Sequence, residues 1–261
     1  MLIRSWNLFH GNTVPPGRTA HLGEMLARGG DGADVLCAQE VPAWALGRFT
    51  CSRLAARPAI GPLPIPREAG RLLTSINNGV LRSAFAGQGN AILLAPRHEL
   101  LSANDLVLNP RRFRDAHAIS LGLGPLPRLA WAHERRVVQA ARLRTPHGRT
   151  LFVANAHCTS YAADIRLAEA ELLRAAWFAR STAAPEDVVV LAGDFNLTRD
   201  DSAALRELCS EEWGFSPAGP GIDHVLVHGA SCSATRVLPD EWRRHDGALL
   251  SDHAPVEVEL A

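Results

Sequence analysis

Carboxylates, amides and histidines recur in this chain at the ends of apolar runs, the positions from which a strand can hold a side chain rigidly. Gly193-Asp194-Phe195-Asn196 follows the run Val188–Ala192 and so delivers an acid and an amide at a sheet edge. Asx residues also build turns, which is the competing use of this tetrapeptide. Ile222-Asp223-His224 puts another carboxylate before Val225–Val227. There it costs several kcal/mol unless it is paired or meets a cation, with turn capping as the alternative. Ser251-Asp252-His253 precedes the run Val256–Leu260. Its aspartate can orient an imidazole or hold a metal, and its histidine can exchange a proton near neutral pH. Gln39-Glu40 closes the run Asp34–Gln39, and Asn155-Ala156-His157 closes Leu151–Ala154. Asn7, between Trp6 and Leu8, is an amide inside the first run with no turn nearby to explain it.

The elements that must position these groups are short apolar runs separated by polar loops. Leu2–Phe9, Asp34–Gln39, Asn90–Leu94, Val137–Leu143, Leu151–Ala156, Val188–Ala192, Val225–Val227 and Val256–Leu260 read as strands. Many are continuously apolar, as expected of strands covered on both faces. Ala162 to Arg180 reads as a helix, with Ile165, Ala168, Leu172 and Leu173 recurring at helical spacing and Trp177 extending the face. Arg18 to Arg28 and Ser202 to Cys209 are weaker helical segments. The stretch Arg57 to Gly70 holds Pro58, Pro62, Pro64 and Pro66 and reads as a loop inserted over one end of a single domain, residues 1–261. No internal repeat is visible. The class is α/β with strands outnumbering helices.

Composition narrows the partners. Apolar residues make up 47% and charged residues 21% of the 261, which excludes a disordered chain, a collagen-like repeat and a coiled coil. The 27 basic and 27 acidic residues balance, so overall charge does not advertise a nucleic-acid binder. Every basic residue is arginine, which excludes lysine nucleophiles, Schiff bases and P-loops. The five cysteines, at 37, 51, 158, 209 and 232, form no C-x-x-C pair and suggest neither a disulfide framework nor a zinc knuckle. Neither a leader peptide nor an apolar span of membrane length is apparent, and a cytoplasmic protein is expected.

The order of the polar segments then becomes informative. Asn in the first strand, Gln-Glu, Asn-x-His, Gly-Asp-x-Asn, Ile-Asp-His and Ser-Asp-His run from residue 7 to residue 253. In this order the sequence resembles the endonuclease/exonuclease/phosphatase superfamily, with Gly-Asp-Phe-Asn and Ser-Asp-His its most specific part. The resemblance implies a DNase I-like, four-layer sandwich of two mixed β-sheets flanked by helices, with the site at one end of the sheets. It implies that Glu40 binds the catalytic divalent ion, with Asn7 near metal and phosphate. Asp194 then orients or activates the attacking water, and Asn196 grips a phosphoryl oxygen. Asp252 orients the adjacent histidine or adds to the metal site. His253 stands beside the scissile phosphate, Asp223 pairs with an active-site histidine, and His157 completes the set. Many members carry an acid two residues after the first-strand Asn. Here Phe9 stands there, which leaves more of the metal coordination to Glu40. Gly89-Asn90-Ala91 resembles a structural Gly-x-Ala strand of the family.

The chemistry is coherent in itself. Phosphate-ester hydrolysis needs a nucleophilic water, compensation of phosphoryl charge and stabilisation of the leaving oxygen. Carboxylates and amides are hard oxygen ligands that suit Mg²⁺ or Mn²⁺, and no His/Cys cluster has zinc spacing. The expected partner is a phosphate ester, with the chain taken as a monomer. For nucleic acid speak Arg111, Arg112 and Arg114, Arg135 and Arg136, and Trp44, Trp131 and Trp242 as stacking surfaces. The alternative substrate is a small phosphorylated molecule such as an inositol phosphate or a lipid phosphodiester. A non-catalytic scaffold is disfavoured because Glu40, Asp194, Asn196, Asp252 and His253 are all in place. A metal-dependent phosphodiesterase acting on DNA is the expectation.

Overall fold

The computed structural model describes the chain apart from residues 16–20, 58, 61–62, 65, 67–68 and 70–86. The first strands are β1 (Leu2–Asn7), β2 (Thr13–Val14), β3 (Val35–Pro42), β4 (Cys51–Ala56), β5 (Ala59–Ile60), β6 (Leu63–Pro64), β7 (Gln88–Leu94) and β8 (Glu99–Val107). They are followed by β9 (Val137–Arg144), β10 (Thr150–His157), β11 (Val188–Asp194), β12 (Asp223–His228), β13 (Arg236–Val237), β14 (Arg244–His245), β15 (Ala248–Leu250) and β16 (Val256–Glu259). The helices are α1 (Leu22–Gly30), α2 (Arg111–Ser120), α3 (Pro125–His133), α4 (Arg166–Thr182) and α5 (Ala203–Leu208).

Two mixed sheets face each other. One runs β13-β16-β1-β3-β7-β4 and the other β12-β11-β10-β9-β8. β1 pairs parallel with β3, and β10 parallel with β11; the remaining ladders of both sheets are antiparallel. Between the sheets lie Ile3, Val35, Cys37, Ile92, Val153, Val190, Val225 and Val258, all buried. On the outer face of the second sheet, α4 and α5 pack over Phe152, Leu191 and Leu226. On the outer face of the first, α1 packs over Trp6 and Leu36. The order is helix, sheet, sheet, helix, and both sheets are covered on both faces, as their apolar runs require.

The strands depart from expectation at their ends. β1 stops at Asn7 because Phe9–Gly11 forms a 3-10 turn. β3 does not close at Gln39-Glu40: it continues to Pro42 through a bulge, where pairing with β7 slips between Ala38 and Val41. β11 and β12 reach Asp194 and Asp223, so both carboxylates belong to strands. The helix expected from Ala162 begins at Arg166, and Trp177 lies outside its packed face, 59% exposed. Of the weak helix Arg18–Arg28, residues 18–20 lie outside the described residues, and α1 starts at Leu22. In the proline-rich stretch, Ala59–Ile60 pairs with Leu63–Pro64, and much of the remainder lies outside the described residues.

The interface between the sheets is not wholly apolar. The Asn155 amide on β10 donates to Ala38 O at 2.8 Å and Ala91 O at 2.9 Å, beside the bulge of the opposite sheet. Its oxygen accepts from Gln39 Nε2 at 2.7 Å. One amide therefore bonds two strands of the facing sheet and fixes the sheets' mutual register. The neighbouring strands β1 and β16 are tied by the buried Arg4–Glu257 pair, whose arginine also donates to the carbonyls of Arg28, Gly29 and Asp31 at the end of α1.

Replacing Asn155 by Ala takes the side-chain donor from two buried carbonyls and leaves the Gln39 amide only Ser5 Oγ and Cys37 O. We expect a loss of about 2–4 kcal/mol in urea unfolding at constant m-value. A loss below about 0.5 kcal/mol, the size of an ordinary surface change, would remove the amide from this role.

Candidate active site

Side chains alternate along a strand, and that period selects the site. On the inward face β1 presents Ile3, Ser5 and Asn7, β3 presents Val35, Cys37 and Gln39, and β10 presents Val153, Asn155 and His157. β11 presents Val190, Ala192 and Asp194, and β12 presents Val227, Val225 and Asp223. Each inward row passes from apolar to polar toward the same end of the sandwich. The register agrees: Asp194 lies opposite both His157 and Asp223 in its ladder, and Asn7 opposite Gln39. Gly193 is what permits this approach. With φ at +144°, a Cβ there would sit 1.8 Å from Ala156 O, so no other residue fits before Asp194.

Asp194, 1% exposed, is the centre. Its Oδ2 accepts from Asn7 Nδ2 at 3.0 Å, its Oδ1 from the Asn196 N–H at 3.0 Å. His157 Nε2 lies 3.5 Å and His253 Nε2 3.8 Å from Oδ2. The other nitrogen of His253, Nδ1, meets Asp223 Oδ2 at 2.7 Å. Burial pushes the Asp194 carboxyl up, as does the Asp223 charge, to about 7, against the pull of His253 and Asn7. For His253, burial opposes the cation, but the hydrogen bond and charge of Asp223, with Asp194 and Asp252, carry its pKa up to about 10. Burial holds His157 well below its ordinary range, aided by the charges of Arg136 and His253, so this imidazole is neutral.

The expected residues therefore separate by geometry. Asp194, Asp223, His157 and His253 converge, with Asn7 bonded to Asp194. Asn7 Oδ1 also accepts the Phe9 N–H at 3.0 Å, so its amide secures the turn after β1. Asn196, at φ +53°, donates from Nδ2 to Cys158 O at 3.1 Å. Asp252 is exposed, its Oδ1 4.0 Å from His253 Nε2, and it is Asp223 that bonds the ring. Glu40 sits in the β3 bulge at φ +50° with Oε2 3.3 Å from His10 Nε2, and its charge acts on Asp194.

Several supporting groups escaped the sequence reading. Ser251 Oγ donates to Asn7 O at 2.6 Å and accepts the His253 N–H, while Trp6 Nε1 donates to His253 O. The loop after His157 is held by buried Glu171, which accepts from Thr159 N, Thr159 Oγ1 and Trp131 Nε1. Buried with these, the Glu171 carboxyl is pushed up to about 7. His10 carried a signal, being a histidine three residues after Asn7; the serine and tryptophan carried none. The tryptophans expected to stack on bases do not present themselves: Trp131 and Trp44 are buried, and Trp242 packs edge-on against Trp6 under Arg4. A larger apolar hollow between α2 and α4, lined by Phe113, Leu173 and Trp177, contains none of the converging residues.

A divalent cation fits this donor set. Asp223 Oδ1 is buried without a hydrogen-bond partner, and the charges of Asp223 and Glu40 both act against ionised Asp194. Atoms of Asp194, Asp223 and His253 lie within 4.8 Å of one another. The oxygens are hard donors of the kind Mg²⁺ and Mn²⁺ take.

Residues 5–253 match the model of the Endonuclease/Exonuclease/phosphatase family. The chain belongs to that family. It is a hydrolase of phosphate esters, and the family's enzymes are generally divalent-metal dependent. No curated protein matches the sequence. Solved structures share the fold. A functionally unknown conserved protein from Enterococcus faecalis V583 is 16% identical with a TM-score of 0.63, over 100% of this chain and 99% of that one. D. rerio TDP2 complexed with single-strand DNA product is 13% identical, TM-score 0.59, over 100% and 98%. A Bacteroides thetaiotaomicron mannosyl-6-phosphatase is 14% identical, TM-score 0.60, over 100% and 99%. No described helix is long and apolar enough to cross a membrane.

Because the folded Asp194 titrates at about 7 against an ordinary 3.8, the folded chain holds an extra proton between these values. Its contribution is fully present below 3.8 and is lost as pH rises through about 7. Without metal, Asp194→Asn is expected to melt a few degrees above the wild-type chain at pH 8, on the order of 1–3 kcal/mol, and near it at pH 4. Thermal melts across that range check it; a lower Tm at pH 8 would mean that pairing outweighs burial.

Proposed function

We propose that this protein, acting as one domain over residues 1–261, is a Mg²⁺- or Mn²⁺-dependent phosphodiesterase that hydrolyses DNA. The observation that carries the hydrolytic reading is Asp194, buried, fixed by Asn7 and flanked by one neutral and one cationic histidine. Asp194 accepts the proton of the attacking water; a pKa near neutrality suits that task. Its oxygens are fixed by two hydrogen bonds, so the acceptor lone pair is oriented before substrate arrives. His253, held cationic by Asp223, donates from Nε2 to a phosphoryl oxygen, and a His157 ring N–H with the second Nδ2–H of Asn196 meets the developing charge. Glu40 and Asp252, with Asn7 beside them, would hold the cation, which supplies charge neutralisation on the phosphate. The Asp194–Asp223–His253 trio is the poorer metal site, because the imidazole is already bonded to Asp223.

The DNA reading rests on a basic helix at the same end of the fold. β8 ends at Val107 opposite Val137, and Val138 lies opposite Ala156, next to His157. The α2–α3 insertion therefore rises beside the site. Arg111 and Arg112 on α2 are exposed, whereas Arg114 is bonded to Asn109 O and Arg136 is buried against Glu134. The single-strand DNA product bound in the D. rerio TDP2 structure agrees with such a substrate. The buried tryptophans favour the second reading, a phosphatase of a small molecule, as the mannosyl-6-phosphatase neighbour illustrates.

Chelation is expected to abolish hydrolysis, and Mg²⁺ or Mn²⁺ to restore it; activity that survives exhaustive EDTA would defeat the metal reading. Asp194→Asn and His253→Ala should each lower kcat on the order of 10²–10⁴-fold. If they serve one transition state, the double variant should be little slower than the worse single one. Multiplicative losses would assign them to independent steps.

Arg111→Ala with Arg112→Ala should reduce the slope of log K against log salt for DNA by about 2, and leave a small chromogenic phosphodiester nearly unaffected. Equal losses on both substrates would remove the phosphate track and leave the small-molecule reading.

A further inference from the structure

We infer that His10 is a nitrogen ligand of the catalytic cation, paired with Glu40, and that the site therefore prefers Mn²⁺ to Mg²⁺. The inference rests on the metal-dependent reading above. It starts from backbone conformation. Phe9 and His10 are consecutive non-glycine residues with φ of +46° and +56°. Each is a strained conformation that persists only where the surroundings impose it. They do so here: the Phe9 N–H donates to Asn7 Oδ1, Gly11 N–H to Leu8 O at 2.7 Å and Asn12 N–H to Phe9 O at 2.9 Å. The result is a buried imidazole, 5% exposed, turned toward β3. Glu40 arrives at the same place by a separate device, the β3 bulge and its own φ of +50°. Two strained segments on paired strands bring one nitrogen and one carboxylate oxygen together.

Their separation is informative. His10 Nε2 and Glu40 Oε2 are 3.3 Å apart, longer than the ~2.7–2.9 Å of a tight charge-assisted hydrogen bond. It lies within a few tenths of an ångström of the roughly 3.0–3.1 Å that separates two adjacent ligands of one cation. The pair also borders the reacting groups, for the His10 charge acts on His157 and that of Glu40 on Asp194. The turn Leu8-Phe9-His10-Gly11-Asn12 holds no carboxylate, so the imidazole is its strongest donor. Mg²⁺ keeps to oxygen and water, so a nitrogen in the donor set disfavours it more than Mn²⁺, itself the weakest nitrogen binder of the first-row series.

Pulsed EPR of Mn²⁺ bound to the whole chain reads the ligand directly, without turnover. Wild-type protein is expected to show ¹⁴N modulation and to bind Mn²⁺ on the order of 10-fold tighter than Mg²⁺. His10→Gln should abolish the modulation and weaken Mn²⁺ about 10–100-fold, whereas His157→Gln and His253→Gln should retain the modulation. His10→Asp supplies an oxygen instead, and should keep a bound ion while erasing both the nitrogen signal and the Mn²⁺ preference. Bound Mn²⁺ without ¹⁴N modulation in the wild type, or modulation that survives His10→Gln, overturns the assignment while metal dependence stands. A wild-type spectrum without ¹⁴N modulation decides alone, and His10→Asp supplies the assignment if His10→Gln does not fold. Failure of the wild type to bind any Mn²⁺ or Mg²⁺ overturns the metal-dependent reading as well.

Discussion

A carboxylate 1% exposed at the floor of a cleft is tolerable only with partners, since an unpaired buried charge costs several kcal/mol. Asp194 obtains them from every side. Asn7 comes from the facing sheet, Asn196 from two residues along the chain, His157 from the neighbouring strand, and His253 from the loop before the last strand. Three of the four, Asn7, His157 and His253, originate in distant segments, so satisfying this one group requires the whole sandwich to be assembled. The partners are in turn oriented: Asp223 on His253, Phe9 N–H on Asn7, Cys158 O on Asn196. Polar satisfaction at the site and closure of the fold are thus the same condition.

The site is also where the backbone departs from its comfortable regions. Among the described residues, left-handed φ at non-glycine positions occurs at Phe9, His10, Glu40, Asn196 and Ser251, all around Asp194, and otherwise at Asp246. Together with mutually repelling carboxylates, this marks a region stabilised by its surroundings at the expense of local ease. The surroundings that compensate are identifiable. The sheets are locked by Asn155, the β1–β16 edge by Arg4 and Glu257, and the His157 loop by Glu171.

Much of this could be read in the sequence, for a definite reason. Strands covered on both faces are continuous apolar runs, and they appear plainly in Val188–Ala192 or Leu151–Ala154. Carboxylates and amides interrupting such runs are conspicuous, which is why Asp194, Asp223, Asn155 and Asn7 stood out. What stayed hidden belongs to other physics. β8 is an edge strand with largely exposed or half-buried side chains, so Glu99–Val107 shows no clear alternation. The bulge that aims Glu40 is a register slip against β7, a relation between strands that a single segment does not encode. Trp177 has helical spacing yet lies outside the core, because α4 packs through Leu167, Leu172 and a row of alanines. Ser251 acts through its hydroxyl to a carbonyl 244 residues away, which no local pattern announces.

The pairing of β1 with β16 sets the order in which the molecule can come into being. Arg4 and Glu257, joined across that ladder, are separated by 253 positions. Contacts of such range form late, after nearer ones have reduced the entropy of closing the intervening chain. During synthesis, Asn7 must wait while sheets, helices and the second half-site are made. His253 follows it by 246 positions (253 − 7), with β16 behind it. Hydrolytic competence is therefore withheld from the growing chain until β1 and β16 meet.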